Sequence, residues 1–95
     1  MQGHASISSD VLASYAADAA RDVPGVRGFP GRRAVRVSDE DSRVRVELHL
    51  AVDWSASIPE VGRAVQDRVC EYLARMASIE TATVDVVVDE VGPRG

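Results

Sequence analysis

The sequence predicts an α+β fold: a two-layer sandwich of element order (β)αββαβ, with both helices on one face of a mixed three-stranded sheet. Three observations support this prediction. In residues 44–54 every second side chain is large and apolar and those between are mostly polar, which is typical of a strand with one buried face. Segments with helical spacing, at about residues 10–22 and 58–77, flank this strand. A valine-rich segment ends the chain, so the second helix should connect two parallel strands.

Length and composition indicate an ordinary globular domain. We expect the 95 residues to form one domain, 1–95, with a core from about residue 3 to 91. The net charge of −4 argues against general binding of nucleic acid or anionic membrane by the whole surface. One cysteine excludes an internal disulfide and a cysteine-based zinc site. Neither a signal peptide nor a membrane-spanning apolar run is visible, so we expect a cytoplasmic protein.

The first helix is predicted from about Asp10 to Asp22. Oxygen atoms that can cap its start are offered by Ser8, Ser9 and Asp10. Pro24 ends it, because proline donates no amide and disfavours helical geometry in the preceding residue. The predicted apolar face consists of Val11, Leu12, Tyr15, Ala16, Ala19 and Ala20.

The second helix is predicted to begin at a capping box, Ser57-Ile58-Pro59-Glu60, and to end at about Ala77. Its apolar residues recur three or four positions apart, as burial of one helix face requires. The predicted stripe consists of Val61, Val65, Val69, Leu73 and Met76.

The strands are predicted around the long central one, Val44–Trp54. Ala34–Ser38 should form a hairpin with it through the acidic turn at residues 39–42, and Thr83–Val91 should be the last strand. His4–Ser8 is predicted as a short first strand, and Val23–Arg33 as a loop. The residues predicted to face the core from the central strand are Val44, Val46, Leu48, Leu50, Val52 and Trp54.

The loop contains Gly28-Phe29-Pro30-Gly31, which has the GxxG form used by KH domains to clamp an RNA backbone. In KH domains this loop joins two helices, whereas here it should join a helix to a strand. Glycine and proline are also common in turns for conformational reasons alone. A KH-like RNA-binding module is therefore the alternative function, and nucleic acid is not the expected partner.

Arginines are concentrated in and around this loop, at Arg21, Arg27, Arg32, Arg33 and Arg36. They are consistent with a docking patch for an acidic partner or phosphate groups. They are equally consistent with a solvated loop whose charges meet Asp18, Asp22 and the acidic turn.

His49 is the residue most open to a chemical interpretation. It should lie on the outer face with Glu47 and Asp53, where Asp85 and Asp89 of the last strand can join it. A histidine beside carboxylates can bind a metal or act as a base. No second nitrogen ligand or nucleophile accompanies it, so we predict no catalytic residue, metal site or cofactor. Cys70 should be a buried, inert thiol beside the apolar stripe.

Several stretches follow one another along nearly the whole chain. They are Gly3-His4-Ala5-Ser6-Ile7-Ser8 with Asp10-Val11-Leu12 and Ala16-Ala17, Val23-Pro24-Gly25-Val26-Arg27-Gly28, the strand Val46–Val52, Ile58-Pro59-Glu60-Val61 with Val65-Gln66-Asp67-Arg68-Val69, and Val84-Asp85-Val86-Val87-Val88. Together they resemble the alkaline shock protein family of bacterial envelope-stress proteins. The chain departs from that family in its arginine-rich loop after Gly28 and in lacking the charged tails of many members.

The resemblance implies a non-enzymatic protein of cell-envelope homeostasis. It implies a cytoplasmic protein that self-associates and, as in some members, is held at the inner face of the membrane by a small membrane-anchored partner. An open sheet leaves one uncovered face and two edges, which proteins must protect or use. The residues expected to contact protein partners are Arg27, Arg32, Arg33, Arg36 and Val87.

Overall fold

Strand β3 (Arg43–Val52) lies at the centre of a four-stranded sheet in the computed structural model, which describes residues 8–31, 34–40, 43–79 and 82–92. The other elements are α1 (Ser9–Arg21), β1 (Val26–Gly28), β2 (Val35–Glu40), α2 (Ile58–Ala77) and β4 (Ala82–Val91). The predicted α+β class is confirmed. Residues 4–7 of the predicted first strand lie outside the described residues, and Ser8 is the N-cap of α1.

The sheet is mixed, as predicted. β4 runs parallel to β3 from Val44 to Val52 along one edge. On the other side of β3, both β2 and β1 pair with it in the antiparallel direction, at successive positions along its length. Residues 29–34 separate these two strands. The prediction that Val23–Arg33 is entirely loop, and the count of three strands, are therefore wrong. β1 forms because β3 extends beyond β2, and Val26 pairs with Val52 at that end.

Both helices pack against one face of the sheet, as predicted. Every second residue of β3 is buried there, and Val46, Leu48, Leu50 and Val52 are fully buried. The helix residues buried against this face are Leu12, Ala16, Ala19 and Ala20 of α1 and Val61, Val65, Val69 and Leu73 of α2. The helices also touch each other, with the rings of Tyr15 and Tyr72 edge to face at 5.8 Å. One apolar core thus joins the sheet to both helices.

Trp54 is wrongly predicted as a core residue, since 72% of it is exposed. β3 ends at Val52, and the chain turns, with the Ala56 amide donating to the Asp53 carbonyl before Ser57 caps α2. Trp54 therefore lies in a turn rather than on the inner face of a strand.

Two helix residues predicted in the apolar faces are also exposed. Val11 lies in the first turn of α1, and Met76 lies in the last turn of α2, beyond Leu73, the last buried residue of that helix. The remaining difference concerns the predicted acidic turn. Asp39 and Glu40 belong to β2, while residues 41 and 42 lie outside the described residues.

Candidate functional site

The sheet face opposite the helices is the main candidate for a functional surface, and we call it the open face. It carries the outward side chains that alternate with the buried ones on all four strands. These are Arg27 of β1, Arg36 and Ser38 of β2, Arg43, Arg45, Glu47, His49 and Ala51 of β3, and Thr83, Asp85, Val87, Asp89 and Glu90 of β4. The face is therefore strongly charged, whereas the opposite face is apolar.

His49 lies between two carboxylates at the centre of the open face. Its Nε2 atom is 2.6 Å from a Glu47 oxygen, and its Nδ1 atom is 2.9 Å from an Asp89 oxygen. These hydrogen bonds, to Glu47 first and then to Asp89, raise the pKa of His49 above its ordinary value of 6.5. The imidazolium form can donate to both neighbours at once, so it neutralises part of their negative charge.

The same geometry argues against chemistry at His49. Both ring nitrogens are engaged by carboxylates on opposite sides of the ring, so no nitrogen is free to coordinate a metal or take a proton from a substrate. Within the ranges that the structure describes, no group of three or more His, Cys, Asp or Glu side chains is arranged to hold a metal ion. The arrangement can organise charge on a surface.

A second ion pair runs across the same two strands. The Arg45 Nε donates to Asp85 over 3.0 Å, and Arg36 stands opposite Glu47 in the pairing of β2 with β3. Positive side chains thus lie towards the β1/β2 edge, and the carboxylates of Asp85 and Asp89 lie on β4. The open face is polarised from one edge of the sheet to the other.

Three of the five residues predicted to contact partners lie on the open face. Arg36 is on β2 and Val87, 38% exposed, is on β4. Arg27 is on β1, where its guanidinium is 4.0 Å from Asp53. Its side chain packs so closely against Gly92 that a Cβ added at residue 92 would clash with the Arg27 Cδ. The other two, Arg32 and Arg33, lie outside the described residues.

The arginines of the sequence do not all belong to this surface. Arg21 is on α1, where it donates to Asp18 over 3.1 Å and stacks its guanidinium 5.2 Å from the centre of the Phe29 ring. That position is on the helix side of the sheet, so a single patch containing Arg21, Arg27 and Arg36 does not form.

The GxxG segment connects two strands. Gly28 ends β1, and Gly31 adopts a φ of +88° before β2 begins at Val35. We expected this loop to follow a helix directly, which is wrong because β1 intervenes. The helix–loop–helix setting of the KH clamp is thus absent around this segment.

A shallow cavity of about 460 Å³ was not predicted from the sequence. It lies between the α1–β1 loop and the start of α2, and Pro24, Asp53 and Glu60 are among its lining residues. Nearby, Trp54 in the β3–α2 connection and Ile58, the first residue of α2, are both exposed. The Ser57 cap is the signal that could have revealed this region, because a helix beginning at residue 58 requires the chain to leave the sheet several residues earlier.

Cys70 lies on α2 and is half-buried against the core, with its Sγ 3.8 Å from the carbonyl oxygen of Ala82. Burial, with a smaller contribution from Asp67, raises the pKa of its thiol. A raised pKa lowers the thiolate fraction at neutral pH, so this thiol is a weak nucleophile.

Comparison with solved structures identifies the fold of MamM CTD as similar. A nickel form is 22% identical with a TM-score of 0.65, covering 87% of this chain and 99% of that one. A cadmium form is 23% identical with the same TM-score, covering 87% and 96%. Another MamM CTD variant is 26% identical with a TM-score of 0.62, covering 87% and 95%. No curated protein sequence matches the chain.

No helix among the described residues is both long and apolar enough to cross a membrane. Residues 1–93 match the model of the alkaline shock protein family, described as having a cell envelope-related function. The match extends over nearly the entire chain and agrees with the resemblance found along the sequence. The chain therefore belongs to the alkaline shock protein family, of cell envelope-related function.

Proposed function

We propose that this chain serves the cell envelope as a non-enzymatic protein, through contacts with copies of itself and with protein partners. The observation that carries the proposal is the open face: one side of the sheet packs against both helices, while the other presents charged side chains held in defined positions by mutual pairing. Ordered charge of this kind gives a protein surface specificity.

Two features weigh against a catalytic role. The nitrogens of His49 are both occupied by Glu47 and Asp89, and Cys70 has a raised pKa. Among the described residues, the hydrogen bonds of His49 go to carboxylates rather than to a nucleophile, and the Cys70 thiol lies against a backbone carbonyl rather than a base.

The location that fits the proposal is the cytoplasm, with attachment at the inner face of the membrane through a membrane-anchored partner. A net charge of −4 disfavours direct attraction to anionic lipids. An anchored protein partner avoids this repulsion, because it offers specific pairing to the arginines of the open face.

The proposal is tested by capturing partners from the host with a tagged chain. Arg36→Glu reverses a charge on the open face, and Arg63→Glu makes the same change on the exposed side of α2. We expect Arg36→Glu to lose most of the captured partners and Arg63→Glu to retain them. Equal capture by both variants would contradict a role for the open face.

A binding measurement tests the alternative function, which is RNA binding. Binding of mixed single-stranded RNA is measured at near-physiological salt for the native chain and for Arg32→Glu with Arg33→Glu. We expect no binding tighter than about 100 μM in either, which is the weak end of the non-specific range. Micromolar binding that the double substitution abolishes would replace the present proposal with an RNA-binding function.

A further inference from the structure

The two edges of the sheet differ in their capacity to accept another strand. The β1/β2 edge is built from strands of three and six residues with a loop between them. β4 has ten residues, and in the described part of the chain only β3 pairs with it. A long edge strand with free backbone groups is a template for pairing with another chain.

The apolar side of β4 is incompletely covered. Val86 and Val88 are half-buried, although their pairing partners on β3, Leu48 and Leu50, are fully buried. The core therefore thins towards this edge. An added strand carrying apolar residues on the same side would cover the two valines.

Two side chains of α2 show which backbone groups of β4 point to the free edge. Gln66 Nε2 donates to the Val84 carbonyl over 3.0 Å, and Cys70 Sγ lies 3.8 Å from the Ala82 carbonyl oxygen. Because backbone groups alternate in direction along a strand, those of Val86 and Val88 point to the same edge. Among the described residues no α2 side chain caps these two, so this is the unprotected part of the strand.

We propose that this edge pairs antiparallel with β4 of a second copy of the chain, about a two-fold axis at Val86. The proposal rests on the self-association proposed above and assigns that contact to the β4 edge rather than to the open face. Both copies would keep their helices on the same side, giving one sheet continuous through the pair.

Charge selects this register. With the axis at Val86, Val84 faces Val88 of the second copy, and Asp85 faces the second copy's Val87. Moving the axis to Asp85 would set Asp85 against its own equivalent, and moving it to Val87 would set Asp85 against the second copy's Asp89. Like charges directly opposite each other are unfavourable, so the Val86 register is preferred.

The extent of pairing is limited by an irregularity in β4. The register with β3 shifts after Val88, and such bulges end regular pairing at a sheet edge. The segment from Val84 to Val88 is symmetric about Val86 and lies within the regular part of the strand. A contact of this length falls below the roughly 1,200 Å² of standard stable interfaces, so the dimer should be weak and form at high micromolar concentration.

The register is tested by two substitutions at one exposed position. Val87→Asp places a carboxylate opposite Asp85 of the second copy, twice per dimer, whereas Val87→Lys places an ammonium group there. Sedimentation velocity should show a dissociation constant on the order of tenfold higher for V87D than for V87K. Far-UV circular dichroism checks that both variants fold.

Val11 provides the matched control, because it is an exposed valine on α1, 41% accessible. Val11→Asp and Val11→Lys change the net charge by the same amounts, and we expect their dissociation constants to agree within about twofold. If the Val87 pair differs no more than the Val11 pair while the native chain still self-associates, the β4 edge is not the interface, although self-association stands.

Amide hydrogen exchange identifies the occupant of the edge in the native chain. We expect the amides of Val86 and Val88 to become more protected as concentration rises from about 10 μM to 1 mM, the range over which such a contact forms. Protection at every concentration would assign the edge to the chain's own residues and overturn the proposal. A native chain that stays monomeric to about 1 mM would overturn both this proposal and self-association.

Discussion

Neighbouring residues of β3 lie in two contrasting environments. Val46, Leu48 and Leu50 are fully buried beneath the two helices, whereas Arg45 and His49, each next to at least one of them in the chain, are accessible on the open face. The inner residues are interchangeable in chemical character, since all are aliphatic. The outer residues are individually paired with side chains of other residues, such as Arg45 with Asp85 and His49 with Asp89.

The inner residues of β3 stabilise the fold, whereas its outer residues give the surface its specific character. Burying an aliphatic side chain contributes about 1.5–3 kcal/mol, whereas an exposed ion pair contributes about 0–1 kcal/mol. The pairing on the open face is therefore a small part of the free energy of folding. Its main consequence is a fixed pattern of charge, which a partner can recognise.

The largest expected effect comes from changing the inner face. Leu48→Asp would bury an unpaired carboxylate beneath both helices, at a cost comparable with the whole stability of about 5–15 kcal/mol of a small domain. We expect this variant to lose its far-UV circular dichroism signal. Arg45→Asp, three residues earlier on the outer face, should lower the free energy of unfolding by less than about 1 kcal/mol. A folded Leu48→Asp chain would contradict the assignment of the two faces.

Alanine substitution of two glycines compares a backbone position packed against α2 with one that has open space beside it. Gly25 has a φ of +98°, and a Cβ there would lie 2.8 Å from the Cγ2 of Val61 on α2. Gly25→Ala should therefore cost about 1–3 kcal/mol in urea unfolding. At Gly28 an added Cβ would meet nothing within 4 Å, so Gly28→Ala should change stability by less than about 0.5 kcal/mol. Equal losses would show that α2 does not approach Gly25 this closely.

The smallest expected effect is on the open face and depends on pH. The pKa of His49 is raised in the folded state by its hydrogen bonds to Glu47 and Asp89. Its contribution to stability is therefore complete below the ordinary value of 6.5 and is lost as the pH rises through the higher folded-state pKa. His49→Gln should lower the melting temperature more at about pH 6 than at about pH 10.

Nuclear magnetic resonance titration of the native chain provides the direct check, with His49→Gln used to assign the His49 ring signals. The ring protons of His49 should titrate above pH 6.5. A titration at or below that pH would show that the two carboxylates do not hold the imidazolium.

The fold could be predicted largely from local sequence patterns, and the errors of the prediction lie where the chain departs from those patterns. Alternation along β3 correctly identified the buried positions from Val44 to Val52. Trp54 was predicted as buried because it follows the same two-residue spacing, but β3 ends at Val52 and the chain there turns towards the Ser57 cap of α2. β1 was missed because a three-residue strand in a glycine- and proline-rich segment has no periodicity; its pairing with the end of β3 is a non-local interaction.

The candidate site was predictable as a set of residues but not as a set of contacts. The sequence placed His49 among Glu47, Asp53, Asp85 and Asp89. The pairings depend on strand register: Asp85 bonds Arg45, and Asp53 lies near Arg27, so only Glu47 and Asp89 reach His49. The register shift after Val88 leaves Asp89 as the extra residue of β4, a feature that no sequence period reveals.

We propose that this chain acts by contact rather than by chemistry, and complementation of a host lacking the chain distinguishes the two. The chain carrying both His49→Gln and Cys70→Ser lacks the two described side chains most open to a chemical role, and it should restore resistance to envelope stress to near the native level. The chain carrying Arg36→Glu, produced in equal amount, should restore much less. Failure of the folded double variant, together with full rescue by Arg36→Glu, would contradict the account.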